Sequence, residues 1–239
     1  TDILKSVPDD TYPVEHAEFL LSLGQAHRVQ MVESRLGPVR DAIAAFSAAA
    51  ELAASAGRHD LAVRGLVEAA ITYVELAVLD PETFDAAVTA FDRALDAVPA
   101  TTQPDQHAEL QLEYGQLWAN QIAQNNESAY TSALQHYEAA ITLGPTVTSP
   151  SQIAPALIEA PRLIVERDAP TQEKLNRAIE LSRLGLSAWP RAQFPAEYAR
   201  VQQTLGGALI KVEQDRATNV AAAIEALEAG IDAANREEQ

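Results

Sequence analysis

The residues that could bind a metal or transfer protons are scattered along the chain. There are five histidines, and none has a second histidine four residues away, the spacing that places two imidazoles on one face of a helix in a zinc site. They are His16, His27, His59, His107 and His136. Surface or packing roles account for them, and we expect no metal site.

The motifs of the common enzyme classes are also missing from the sequence. It contains no Gly-x-Gly-x-x-Gly, no phosphate-cradling glycine loop and no nucleophile elbow. With no cysteine, the chain has no thiolate ligand, no cysteine nucleophile and no disulfide. We therefore expect a protein that is not an enzyme, with no catalytic residues and no cofactor.

The charge balance restricts the kind of partner. The 34 acidic residues outnumber the 17 basic ones, which gives a formal net charge of −17. Nucleic acid and anionic membranes attract proteins that neutralise phosphate, so neither is an expected partner. No apolar run approaches the roughly 18 residues of a membrane span, and no signal peptide is visible. These features predict a cytoplasmic location.

Small residues recur at a fixed interval. Gly24, Ala69, Gly115 and Gly206 are 45, 46 and 91 residues apart, and 91 is two such intervals. Pro161 occupies the position that would complete the series. An alanine stands seven residues before each of the four: Ala17, Ala62, Ala108 and Ala199. A unit of about 45 residues is therefore repeated along the chain.

A second series has the same interval. Alanines follow one another 45, 46, 45 and 45 residues apart, at Ala42, Ala87, Ala133, Ala178 and Ala223. An aliphatic residue follows each of them, and the positions four residues later are Phe46, Phe91, Tyr137, Ser182 and Leu227. Offsets of 0, 1 and 4 lie on one face of a helix. Five parallel copies predict five equivalent helices.

Turn-forming residues divide each unit into two helices. Gly37-Pro38 is predicted to separate the helices of the first unit, and Asp80-Pro81-Glu82 to begin the second helix of the next. The fold class predicted is all-α, with about ten helices of roughly 16 to 20 residues and no strands. Residues 1–239 then form one array, with units at about 15–57, 59–104, 105–150, 151–194 and 195–236.

The repeated pattern resembles the tetratricopeptide repeat. Its signature is present in Leu23-Gly24-Gln25-Ala26 and Leu205-Gly206-Gly207-Ala208, each followed by the alanine-rich second helix. The family also places a proline five residues after the last small residue of that helix, where this chain has Pro99, Pro145 and Pro190. The resemblance implies a right-handed α-solenoid of about five antiparallel helix hairpins, a tetratricopeptide-like superhelix.

The length of the unit departs from the family. A tetratricopeptide unit has about 34 residues, whereas HEAT repeats approach the period seen here. The recurring side-chain signature favours the tetratricopeptide family, since the HEAT match is mainly one of length. Such long units resemble bacterial arrays found beside caspase-like or NTPase domains, which implies a sensor or regulatory part of a larger protein.

The resemblance also implies that the first helices line a concave, peptide-binding surface. The equivalent positions supply cations and amides that could hold the backbone and carboxylates of an extended peptide. They are Gln25, Arg28, Gln116, Asn120, Arg162, Arg200 and Lys211, with Gln203 as an exception at a position that is otherwise aliphatic. Solvated helix positions are the competing interpretation.

The predicted function is that of a scaffold or adaptor for a protein or peptide partner. The alternative is a homo-oligomerisation module, since the last helix carries Ile224, Leu227 and Ile231 with only a charged tail beyond it. This end of the array could pair with another chain. A small-ligand-binding or enzymatic superhelix is a more distant alternative.

Overall fold

The computed structural model describes residues 12–30, 36–122, 127–167 and 169–237. Within these ranges the chain forms ten α-helices and two 3-10 turns, and it contains no strand. The helices are α1 (Pro13–Val29), α2 (Leu36–Ser55), α3 (His59–Leu79), α4 (Phe84–Ala97), α5 (Pro104–Ala119), α6 (Glu127–Thr142), α7 (Ala156–Glu166), α8 (Gln172–Ala188), α9 (Pro195–Lys211) and α10 (Arg216–Glu237). The predicted all-α class is confirmed.

Local sequence explains four of the helix starts. Proline occupies the first turn of α1, α5 and α9, where its missing N–H would have had no helical partner. Thr171 caps α8, because its hydroxyl accepts a hydrogen bond from the Lys174 amide at 3.3 Å. These are the positions where the chain turns, so the helix pattern follows the turn residues.

Two of the predicted helix boundaries were wrong. Gly37 and Pro38 lie inside the first turn of α2 and not between helices; a proline there removes an N–H that has no partner in any helix. Asp80 does not cap α4 with its side chain, since Pro81–Thr83 forms a 3-10 turn and α4 begins only at Phe84. The sequence also predicts that Asn125-Asn126 separates the two helices of the third unit, but these residues lie outside the described ranges.

Pro161 does not break its helix. Because proline lacks an N–H and clashes with the preceding turn, the sequence predicts a kink or a break at Pro161. The break does not occur, since α7 runs continuously from Ala156 to Glu166 with Pro161 buried inside it. At 11 residues α7 is shorter than the 16 to 20 residues expected. Since proline has no N–H, the carbonyl of Leu157 loses its helical partner. Gly185 of α8 packs against this carbonyl, 3.3 Å from where a Cβ would be.

The chain divides into two compact units, Thr1–Ala123 and Gln124–Gln239. In the first unit each helix from α1 to α5 packs on the next, and the odd-numbered helices α1, α3 and α5 also contact in sequence. In the second unit successive helices from α6 to α10 pack together, and α7 also contacts α9. The boundary falls between the two helices of the third predicted repeat.

The repeated alanines are among the most buried residues of their helices. The five alanines of the second series are 0 to 1% exposed. In the first hairpin a Cβ at Gly24 would be only 2.5 Å from the Phe46 ring, and in the last one a Cβ at Gly206 would be 2.8 Å from Leu227 Cγ. Both contacts join equivalent positions of the repeat, so glycine allows the two helices to approach closely.

Charged pairs connect positions about one unit apart in the chain. Five pairs join residues 39 to 41 positions apart in the chain: Arg28–Glu68, Arg40–Asp80, Glu127–Arg167, Glu138–Arg177 and Arg191–Asp232. All are at least partly exposed, so each contributes little to stability.

None of the described helices combines the length and apolar character that crossing a bilayer requires.

Candidate functional site: a cavity between helices α7 and α9

Two first helices of the predicted repeat enclose an open cavity of about 500 Å³ in the second unit. Helix α7 contributes Ile158, Glu159, Arg162, Val165 and Glu166. Helix α9 contributes Arg200, Gln203, Thr204 and Gly207. The cavity therefore brings together three of the predicted binding residues, Arg162, Arg200 and Gln203.

Helical periodicity explains why these side chains meet. Residues 158, 162 and 165 share one face of α7, and residues 200, 203, 204 and 207 share one face of α9. A Cβ at Gly207 would be 3.0 Å from Val165 Cγ1, so the two helices come close at this point. The glycine leaves the floor of the cavity open where a larger residue would fill it.

Arg162 is already neutralised by its own helix. Its Nε and Nη2 donate to Glu159 Oε2 at 2.9 and 2.6 Å, and its Nη1 donates to Glu166. These acids lie three residues before and four residues after it, which are the spacings at which helical side chains meet. The Arg162 charge is consequently engaged before any ligand arrives.

Arg200 and Gln203 differ from Arg162 in this respect. Both side chains are exposed, and neither forms an ion pair or side-chain hydrogen bond with the described part of the chain. Thr204, one turn along, has its hydroxyl bonded back to the Arg200 carbonyl at 3.0 Å. The wall formed by α9 thus offers a guanidinium and an amide whose donors are available.

Lys211 has a structural contact instead. Its Nζ donates to the carbonyl oxygens of Val165 and Arg167 at the end of α7. The last carbonyl groups of a helix have no helical partner and carry partial negative charge, so a lysine there satisfies them. Lys211 lies beside the cavity but does not line it.

The other four predicted residues belong to the first unit. Gln25 is exposed on α1. Arg28 pairs with Glu68 of α3 at 2.5 Å. Gln116 Nε2 donates to Asn120 Oδ1 at 2.8 Å near the end of α5. Two of these four therefore bond to each other, and a third is held by a carboxylate.

Sequence reasoning missed the acidic surroundings of Arg28. Burial raises the pKa of Glu109, and the neighbouring Glu68 raises it further. Burial also raises the pKa of Glu113, with a smaller contribution from Glu109. Arg28 lowers both pKa values. The four-residue spacing of Glu109 and Glu113 was a visible signal that they share a face.

The described residues hold no group of three or more histidine, aspartate or glutamate side chains arranged to bind a metal ion. A scan against models of protein families gives no match for this chain. A search of curated protein sequences gives no match either.

Proposed function

We propose that the chain is a protein-binding scaffold, a tetratricopeptide-like right-handed solenoid of five hairpins without catalytic activity. Its first helices take up an extended segment of a partner protein, and the cavity between α7 and α9 is one point of contact. The observation that carries the proposal is the pair of unengaged donors, Arg200 and Gln203, on one wall of this cavity.

The repeat supports the solenoid part of the proposal. The odd-numbered helices contact each other within each unit, α1 with α3 and α3 with α5 in the first and α7 with α9 in the second, as first helices of stacked hairpins would. The matched alanines are buried in all five second helices. A single helix hairpin cannot cover its own apolar faces, so these faces become buried only when neighbouring hairpins stack on them.

The chemistry of the cavity suits a peptide. Arg200 presents a planar fork of donors that matches a carboxylate. Gln203 can donate to a peptide carbonyl and accept from a peptide N–H. Ile158 and Val165 supply apolar surface for a small side chain. We therefore expect an extended segment with an acidic group next to a small apolar residue.

The proposal is tested by selecting peptides from a random display library on the whole protein and measuring their affinity by titration calorimetry. We expect carboxylate-containing peptides, and we expect Arg200→Glu to weaken them about tenfold or more because attraction becomes repulsion. Arg183→Glu is the matched control, since Arg183 is an exposed arginine on α8 outside this cavity. Equal affinity of the Arg200→Glu variant and the parent would refute the assignment.

The second candidate is a homo-oligomerisation module. It is favoured by the exposed apolar residues of α10, since Ile224 and Ile231 are 51% and 62% exposed. Light scattering across a range of protein concentrations distinguishes the two candidates, because a module of this kind forms dimers or larger assemblies without any other protein.

A further inference from the structure

The outward face of α10 carries an apolar stripe with regular spacing. Val220, Ile224 and Ile231 are 38%, 51% and 62% exposed, and Leu227 between them is half-buried. The steps from Val220 to Ile231 are four, three and four residues, the pattern by which one helix packs along another. Leu227 also covers Gly206 of α9, so it forms the inner margin of the stripe.

One edge of this stripe is acidic. Glu225, Glu228 and Asp232 follow the stripe on the same side of the helix. Arg191 pairs with Asp232, whereas Glu225 and Glu228 are exposed and have no partner in the described residues. A helix that packs on the stripe would therefore find two unneutralised carboxylates beside it.

Small side chains leave room for close approach. Ala217, Ala221 and Ala234 are exposed around the apolar residues. Small residues next to a stripe allow a second helix to lie near the α10 backbone. The face is therefore shaped for a helix and not only for scattered contacts.

The charges argue against a second copy of this chain as the occupant. An antiparallel two-fold pairing of α10 helices brings the same edge of both helices together, so Glu225 and Glu228 would face their own copies. Each copy also carries a formal net charge of −17. Like charges at such an edge oppose association.

We propose that this face of α10 docks an amphipathic helix of a partner protein, with an apolar stripe over Val220, Ile224 and Ile231 and with lysine or arginine opposite Glu225 and Glu228. This interaction uses other residues than the α7–α9 cavity. The two proposals can therefore fail independently, and the variants that test them do not overlap.

The probes are two synthetic helical peptides of about three heptads, both with leucine along one stripe. The first has lysine on the flanking positions and the second has glutamate. Fluorescence anisotropy with the whole protein should show the lysine peptide binding about tenfold or more tightly, with its advantage reduced at high salt. Equal binding of the two peptides, or no binding of either, overturns the proposal.

Two variants locate the interaction on α10. The double variant Ile224→Ser, Ile231→Ser should lose the lysine peptide, while Leu184→Ser, at an equally exposed apolar residue of α8, should retain it. The double variant Glu225→Lys, Glu228→Lys should prefer the glutamate peptide. All these side chains are exposed, so we expect the variants to fold, and circular dichroism checks this. A stable dimer of the parent that the serine variant abolishes would contradict the proposal, because a second copy would then be the occupant.

Discussion

Arg28 shows how an individual residue acquires a role that its position in the sequence does not reveal. The repeat register correctly marks it as a residue of a first helix, but its partner Glu68 is 40 residues away. Nothing in a single sequence links two such residues. The same holds for Lys211, whose acceptor at Val165 is a backbone carbonyl 46 residues away. By contrast, the engagement of Arg162 by Glu159 and Glu166 follows from helical spacing alone.

Replacing Arg28 by glutamine should lower stability in a pH-dependent way. Burial raises the pKa of Glu109 and Glu113, so these acids contribute stability that is complete below their unfolded pKa and is lost as pH rises through the folded values. Arg28 lowers both pKa values and limits this loss. We expect Arg28→Gln to cost about 1 kcal/mol at neutral pH, a small amount because the Arg28–Glu68 pair is partly exposed. The cost should be smaller near pH 4, where more of Glu109 and Glu113 is protonated.

Urea unfolding of the parent and the variant at the two pH values measures this difference. Arg93→Gln is the matched control, since Arg93 is an exposed arginine of α4 and forms no ion pair in the described residues. A cost for Arg28→Gln that is the same at both pH values would show that the acidic neighbours are not involved.

The helices illustrate which parts of the fold sequence can predict. The five buried alanines were predictable because all five copies of the unit carry alanine at the same position. A match that recurs five times is not a coincidence of one copy. The ends of α2 and α4 were not, because Gly37-Pro38 and Asp80-Pro81 are compatible with more than one local conformation. The continuity of α7 through Pro161 was not predictable either, since tertiary packing outweighs the local cost of proline.

The helix crossings of the first and last hairpins should respond differently to an added methyl group. In Gly24→Ala the new Cβ meets the Phe46 ring, which is 0% exposed and packed within the buried core cluster of the first unit. We expect a loss of about 1–3 kcal/mol. In Gly206→Ala the methyl meets the half-buried Leu227, which can adjust. The higher helix propensity of alanine should keep that change within about 1 kcal/mol of neutral.

Thermal and urea unfolding of the two variants provide the comparison. Adding Phe46→Leu to Gly24→Ala should recover part of the loss, because the smaller side chain makes room for the methyl group. If both alanine variants are equally unstable, the difference between an enclosed ring and an adjustable leucine does not determine the cost.

For the molecule as a whole, the sequence predicted one array, and the contacts gather into two compact units. Each unit has its own buried clusters: one around Phe46 and one around Phe91 and Tyr114 in the first, and one around Leu205 and Leu209 in the second. A repeat register describes what the hairpins share, and it does not reveal that the division falls between the two helices of the third predicted hairpin. The division therefore could not be predicted from the period.

Residues 1–123 and 124–239, produced separately, should each remain helical. Every helix of a half has a neighbour within that half, so its apolar face stays covered. Far-ultraviolet circular dichroism and thermal melting provide the measurement, with the full chain as the reference. A half that lacks helix or melts without a cooperative transition would show that its core depends on the other half.

The contact from Lys211 to the last carbonyl groups of α7 has a consequence for the peptide binding that we propose at the cavity. It ties the end of one wall to the other, so their separation is set during folding and not by the arriving peptide. An occupant then loses its own freedom on binding but does not have to order the receptor as well. In the function proposed above, a preset separation of α7 and α9 would let the cavity hold a short segment that a looser pair of helices would release.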